Sequence, residues 1–255
     1  MSAPTPAPDL ASARGRLESA LRDADPAVVA VSGGVDSLTL AAFAAGLEGA
    51  AFEAAHAVSP AVPPSATRRV REFARARGLA LTVLDAGEFS DESYRENPAN
   101  RCYFCKSHLY GALRRRFGRT LLSGANLDDL DDFRPGLIAA REREVRHPFV
   151  EAGFTKAQVR ELARALWLGD VAELPAAPCL SSRVETGIRI EAATLGLIDA
   201  IESELRAAIG AATVRCRVRR RGVVIELDQD ALDRLDDDAR SRFSASVAER
   251  ASRAG

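Results

Sequence analysis

Residues 27–46 of this chain read AVVAVSGGVDSLTLAAFAAG, and they limit the fold more than any other stretch. An uncharged run with β-branched residues at 27–31 has the pattern of a buried strand. A second apolar run at helical spacing covers 36–47. Between them lies Ser32-Gly33-Gly34-Val35-Asp36-Ser37. A strand, a double-glycine turn and a helix start together make an anion site. The glycines let backbone N–H groups approach phosphate oxygens, the helix N-terminus adds partial positive charge, and the hydroxyls donate further. The plain alternative is an ordinary strand-to-helix turn capped by Asp or Ser.

The same alternation continues downstream. Strands are expected at 51–58, 79–84 and 120–123, with helices at 65–77 (ended by Gly78), 101–117, 135–145 and 155–168. Strands and helices in alternation over 27–168 imply a parallel sheet covered on both faces, an α/β, doubly wound, Rossmann-like architecture. Ligands of such sheets sit at the C-terminal ends of the strands, where the 32–37 turn lies. After Gly169 the texture changes. Residues 174–187, LPAAPCLSSRVETG, read as loop, followed by a helix at 191–209. Two β-branched runs at 213–218 and 223–227 carry a hairpin signal, and one last helix is expected at 229–250. The domains expected are an N-terminal tail and helix (1–23, with a cap near Asp9), a nucleotide-binding domain (24–186) and a small α+β domain (187–255).

The chain has 255 residues, 47% of them hydrophobic, enough for a substantial core, and a net charge of −1. That balance gives no global attraction to nucleic acid or membrane, although Arg114-Arg115-Arg116 and the arginines of 215–221 form local basic clusters. No apolar run is long enough to span a bilayer, and the first residues, MSAPTPAPDLASARGR, lack a signal-peptide pattern. The expected location is the cytoplasm, where four cysteines point to metal or thiol chemistry rather than to disulfides.

Cys102 and Cys105 form a CxxC in NPANRCYFCKSHLY; Cys179 lies in AAPCLSSR and Cys216 within the hairpin. On a helix, positions i and i+3 face the same way, so two thiols of a CxxC can share a metal, with a third ligand from elsewhere. Cys179 is the candidate. His108 is an alternative zinc ligand, although a solvated or capping imidazole is the preferred reading. Cys216 reads as a small buried apolar residue.

The SGGVDS turn in its strand–helix context resembles the PP-loop of the N-type ATP pyrophosphatases, whose fold is adenine nucleotide alpha hydrolase-like. With NPANRCYFCK, SGANLDDLDDFRPGL and APCLSSR following in order, the chain over about residues 27–230 resembles the LarE family of ATP-dependent sacrificial sulfur transferases, which act in nickel-pincer nucleotide biosynthesis for lactate racemase. The resemblance implies that ATP adenylates a carboxylate of a pyridinium mononucleotide and that sulfur then displaces AMP to give a thiocarboxylate. A carboxylate is a poor electrophile, which an acyl adenylate cures, and a thiolate is a competent nucleophile near neutral pH. By the resemblance, Ser32, Gly33, Gly34, Asp36 and Ser37 bind pyrophosphate, Asp36 also holds Mg²⁺, and adenine lies near Ala57–Ser59. Cys102, Cys105 and Cys179 match the three-cysteine type, which holds a [4Fe-4S] cluster with one iron open to an extra sulfide. A one-cysteine type instead gives up the sulfur of its single cysteine. The catalytic set implied is Cys179, Asp36 and Arg183, the last favouring the Cys179 thiolate.

Further nucleotide contacts are expected from Arg101, Gly124, Asn126 and Asp129, with Asp129 holding metal or orienting Arg134. Asp131 and Asp132 read as a solvated acidic loop. Arg215 and Arg217 share one strand face, a site for the substrate's phosphate or else an exposed charged face. The partners implied are a small nucleotide substrate, a sulfide or sulfur donor and further copies of the chain. A PP-loop tRNA-thiolating enzyme is the nearest rival, disfavoured by the near-neutral charge. A non-catalytic nucleotide-binding module with structural zinc ranks last, because it leaves Asp36 and the APCLSSR loop without a role.

Overall fold

The structure, a computed structural model, describes residues 9–130, 134–176 and 178–253. The expected N-terminal tail over 1–8 and the acidic residues Asp131 and Asp132 lie outside them. The helices and strands run in the order α1 (Leu10–Ala24), β1 (Ala27–Ala30), α2 (Val35–Ala45), β2 (Phe52–Val58), α3 (Pro64–Ala76), β3 (Leu81–Asp85), α4 (Glu92–Arg95), α5 (Arg101–Phe117), β4 (Thr120–Leu122), α6 (Pro135–Glu142), α7 (Pro148–Ala152) and α8 (Lys156–Ala165). Then come α9 (Ala192–Ile209), β5 (Val214–Arg219), β6 (Gly222–Leu227), α10 (Gln229–Asp233) and α11 (Asp237–Arg253). They fall into two compact units, one drawn from Met1–Ser59, Pro64–Glu88 and Cys102–Ala176, the other from Pro60–Pro63, Phe89–Arg101 and Ala177–Gly255.

The first unit is built on a parallel sheet in the order β3-β2-β1-β4. Ala27 lies opposite Phe52 on one side and Thr120 on the other. Arg146 adds a parallel bridge to Leu122, a rudimentary fifth strand. The side-chain period of two divides β1 between two cores. Ala27 and Val29 join Leu17 and Leu21 of α1, Leu38 and Ala41 of α2, and Val159 and Leu162 of α8 on one face. Val28 faces Tyr110 and Leu113 of α5 and Ala140 of α6 on the other. This is the doubly covered, Rossmann-like sheet that the alternation predicts. Apolar residues of α1 recur at 13, 17, 21 and 24, so its buried stripe faces the sheet, and Asp9 caps it by accepting from the Ser12 N–H. Each fully buried leucine there contributes about 2 kcal/mol.

In the second unit β5 and β6 form an antiparallel hairpin with Val214 opposite Leu227. Val214 and Cys216 are buried, as are Leu195, Ile198, Ile201 and Leu205 along α9. Two expectations change here. The single helix expected over 229–250 is two helices, because Asp236 accepts from the Ala239 N–H at 2.7 Å and starts α11 afresh. The loop expected over 174–187 contains a 3₁₀ turn at Leu180–Arg183, directly after Cys179.

Candidate functional site

The SGGVDS turn leaves the C-terminal end of β1 and enters α2. Gly33 has φ of +88°, and a Cβ there would lie 3.1 Å from the Ala66 carbonyl oxygen, so only glycine fits the bend. The loop is tied to itself: the Ser32 N–H donates to Ser37 Oγ (3.1 Å), and Ser37 Oγ donates to the Gly34 carbonyl (3.2 Å). Gly34 is the N-cap of α2 with no side-chain cap, so no side-chain oxygen competes for the first-turn N–H groups. An ordinary capped turn has a side-chain oxygen at that point; here the Ser37 and Ser32 hydroxyls take up the Ser32 and Gly34 N–H groups (3.1 and 3.4 Å), while the first helical turn has no side-chain cap.

Two side chains prop the loop from below. His56, 1% exposed on β2, bonds the Val31 carbonyl through Nδ1 (2.8 Å) and Thr67 Oγ1 through Nε2 (3.0 Å). Burial pushes its pKa down and favours the neutral ring; because the Val31 carbonyl can only accept, the neutral ring donates from Nδ1 and accepts from the Thr67 hydroxyl at Nε2. Arg69 donates to the Gly33 carbonyl at 3.0 Å. Ala57 lies at the end of β2 and Ser59 just beyond it, both half-buried, at the strand ends where the nucleotide is expected.

Asp36, on the first turn of α2, is gripped by Lys156 Nζ at 2.5 and 2.6 Å and accepts from Asn126 Nδ2 at 3.3 Å. Thr155 caps α8 with a capping box and sets Lys156 at the first helical position. Beside them, a Cβ on Gly124 would lie 2.8 Å from the Asp36 carbonyl carbon and the Ser37 nitrogen. The β4 end is thus packed backbone to backbone against the loop. Asn126 and Asp129 form a capping box, and Asp129 also pairs with Arg134 at 2.6 Å. Ser32, Gly33, Gly34, Asp36, Ser37, Gly124, Asn126 and Asp129 therefore share one corner of the first unit.

Cys102 and Cys105 sit on the first turn of α5, the first exposed and the second half-buried. Arg101 belongs to the second unit, where its guanidinium donates to Asn97 Oδ1. Asn97 is fully buried at φ +57°, and its Nδ2 reaches the Glu185 and Ile188 carbonyls, both at 2.9 Å. Tyr94 bonds Ser181 at 2.7 Å, hydroxyl to hydroxyl. Residues 94–101 are thereby clamped onto 181–188. Cys179, half-buried, starts the 3₁₀ turn of that region. Arg183 Nη1 donates to the Pro178 and Cys179 carbonyls (2.5 and 3.3 Å), and its other nitrogens pair with Glu202. Arg183 thus holds the Cys179 carbonyl while its charge is paired with Glu202. Arg217 spans Glu226 (2.9 Å) and the Ser182 carbonyl (3.0 Å). Arg215 lies on the same strand face. Cys216 is buried on the opposite face, its thiol pushed up to about 12 by burial first and by the Glu202 charge second.

Cys102 and Cys105 belong to the first unit and Cys179 to the second, and within each unit no three His, Cys, Asp or Glu of the described residues converge as a metal site. No helix among the described residues is long and apolar enough to cross a membrane. Sequence reasoning missed Lys156, His56, Arg69, Asn97 and Glu202. Lys156 carried a signal: a cation at the first position of a capped helix opposes the helix dipole and needs a local anion. The others depend on contacts far apart in sequence.

No protein-family model matches the chain. Over 218 residues it is 36% identical to an uncharacterized protein of Synechocystis sp., covering 84% of this chain and 81% of that protein. Over 232 residues it is 31% identical to the pyridinium-3,5-bisthiocarboxylic acid mononucleotide synthase of Lactiplantibacillus plantarum, covering 86% of this chain and 81% of that one. A third relative, an uncharacterized Methanocaldococcus jannaschii protein, is 30% identical over 139 residues, about half of each chain.

Proposed function

The chain belongs to the LarE family, that of the pyridinium-3,5-bisthiocarboxylic acid mononucleotide synthase it matches over most of its length, and from that premise we propose an ATP-dependent sulfur transferase acting on a pyridinium carboxylate mononucleotide in nickel-pincer cofactor biosynthesis. The observation that carries the ATP half is the uncapped, self-tied SGGVDS turn with Asp36 and Lys156 beside it. Backbone donors, helix dipole and ammonium receive the phosphates, and Asp36 is the carboxylate that would hold Mg²⁺. A substrate carboxylate oxygen attacks the α-phosphorus, the bond to the β-phosphate breaks, and pyrophosphate leaves. A sulfur nucleophile then attacks the acyl carbon, the C–O bond breaks, AMP departs with the electron pair, and the sulfur's proton passes to solvent. Lys156 and the loop amides oppose the charge that builds on the phosphates in the first step.

Cys102, Cys105 and Cys179 are the thiols for a [4Fe-4S] cluster in this reading. The donor chemistry fits: two thiols three apart on one helix turn, a third on a separate turn, and no disulfide among the four cysteines. Three thiolates leave one iron open, so such a cluster would supply a replaceable sulfide. Arg215 and Arg217 are the arginines for the substrate's phosphate.

The test is anaerobic assay of the reconstituted protein with ATP and pyridinium-3,5-biscarboxylic acid mononucleotide. Pyrophosphate, AMP and a thiocarboxylate product are expected, with Asp36→Asn reducing pyrophosphate release by roughly 10²-fold or more. Pyrophosphate release with tRNA but not with the mononucleotide overturns the reading. With excess sulfide, more than one product per chain supports cluster-borne sulfide; a single product with Cys179 converted to dehydroalanine overturns that part and assigns the sulfur to the cysteine itself.

A further inference from the structure

One carboxylate in the second unit is buried, charged and central to three elements at once. Glu202 on α9 is 3% exposed, and its partner Arg183 is 6% exposed. Oε1 of Glu202 accepts from Arg183 Nε (2.9 Å) and also from the Cys216 N–H (3.0 Å), while Oε2 accepts from Arg183 Nη2 (3.2 Å). Arg206, one turn along α9, stands 3.8 Å from Oε2. Arg183 in turn grips the carbonyls of Pro178 and Cys179 and the Ser182 hydroxyl. The carboxylate therefore bonds the amide midway between Arg215 and Arg217 and, through one guanidinium, the turn that starts at Cys179.

More bonds lock the same two segments together. Arg217 Nη1 donates to the Ser182 carbonyl at 3.0 Å. Val184 makes a parallel bridge to Val218, and the Glu185 N–H donates to the Val218 carbonyl at 2.9 Å. A buried pair of opposite charges is a costly way to hold two segments if packing is the only need, since apolar side chains of similar volume do so as well or better. What an ion pair adds is direction. A fork of fixed geometry aims the strand and the turn with respect to each other.

We infer that Glu202 is a positioning residue that holds the Cys179 turn and the Arg215/Arg217 strand face at one set separation, so that a phosphate-bearing substrate is selected by the distance from its phosphate to its reacting group. The inference rests on the sulfur-transfer reading for the substrate class. An anion bound by the arginines fixes one end of the substrate, and the rigid linkage fixes where the sulfur held at the Cys179 turn meets the other. A substrate without the phosphate lacks the first anchor and gains nothing from the linkage. Loosening the linkage removes the advantage of the phosphate without removing the arginines.

The experiment compares the wild-type protein with Glu202→Gln and Glu202→Asp, using the pyridinium carboxylate mononucleotide and its dephosphorylated nucleoside. The ratio of kcat/KM for the two substrates is expected to fall at least tenfold in Glu202→Gln and less in Glu202→Asp, which keeps the charge. Pyrophosphate release in the first unit is expected to persist. A second readout needs no turnover. Mass spectrometry of the Cys179 peptide from the protein as purified without iron and sulfide gives its labelling ratio for iodoacetate over iodoacetamide, in which thiol ionisation cancels. Arginines held beside the turn favour the anionic reagent, so the native ratio exceeds that of the urea-unfolded chain and falls toward it in Glu202→Gln. An unchanged substrate ratio and an unchanged labelling ratio in a folded Glu202→Gln protein overturn the inference. If the wild type turns over neither nucleotide, the function is wrong, and the labelling ratio still decides the positioning role. Should Glu202→Gln fail to fold, both readouts are taken on Glu202→Asp, where unchanged ratios overturn the inference in the same way.

Discussion

A methyl group at position 124 has nowhere to go. It would meet the Asp36 and Ser37 backbone at 2.8 Å, and backbone in the first turn of a helix cannot step aside. Gly124→Ala is therefore expected to destabilise the first unit by roughly 1–3 kcal/mol, seen as a lower urea midpoint, and to weaken ATP binding measured by calorimetry beyond the stability loss. A stable variant with unchanged ATP affinity would show that β4 does not brace the loop. The neighbouring Lys156–Asp36 pair is about a third exposed on each side. Water screens such a pair, so its value lies in setting charge at the nucleotide corner more than in stability. That a glycine follows the fourth strand was legible in the sequence; the partner of Lys156 was not, because it lies 120 residues away.

At the scale of the element, alternation along β5 decides the chemistry of its residues. Odd positions 215 and 217 present guanidinium groups on one face, and even positions 214 and 216 are buried on the other. Cys216 is thereby sealed in and its thiol held up near 12. Helix α5 does the opposite for its first turn and leaves Cys102 exposed. In protein purified without iron and sulfide, iodoacetamide at pH 8 is expected to label Cys102 readily and Cys216 only above the urea midpoint, as read by peptide mass spectrometry. Labelling of Cys216 in the native protein would mean that the hairpin opens locally. The period-two pattern of 213–218 made this face assignment readable. The 3₁₀ turn after Cys179 was not readable, since it depends on Arg183 reaching carbonyls on its own chain and a carboxylate from α9.

For the whole molecule the pH dependence follows from one buried and one half-buried ring. Burial holds both His56 and His147 below the ordinary value of 6.5. His56 faces Arg71, which adds to the lowering; His147 feels Glu151 and Asp129 against it and Lys106 with it. A native histidine that resists protonation binds fewer protons than the unfolded chain, so stability falls as pH drops below 6.5 toward the depressed native values. Each ring contributes a slope of at most about 1.4 kcal/mol per pH unit. The urea midpoint is expected to fall between pH 7.5 and 5, and His56→Gln to fall less steeply; equal slopes would show that His56 titrates normally in the native state. The sequence alone determined the alternation of strands and helices, the covered parallel sheet and the glycine bend at the end of its first strand. Those follow from periodicity and backbone sterics, which act over a few residues. Only the tertiary structure decided that Lys156 meets Asp36, that His56 props Val31 and that Glu202 joins Arg183 to the Cys216 amide. Charge and hydrogen-bond partners are chosen by proximity in space, which local sequence does not encode.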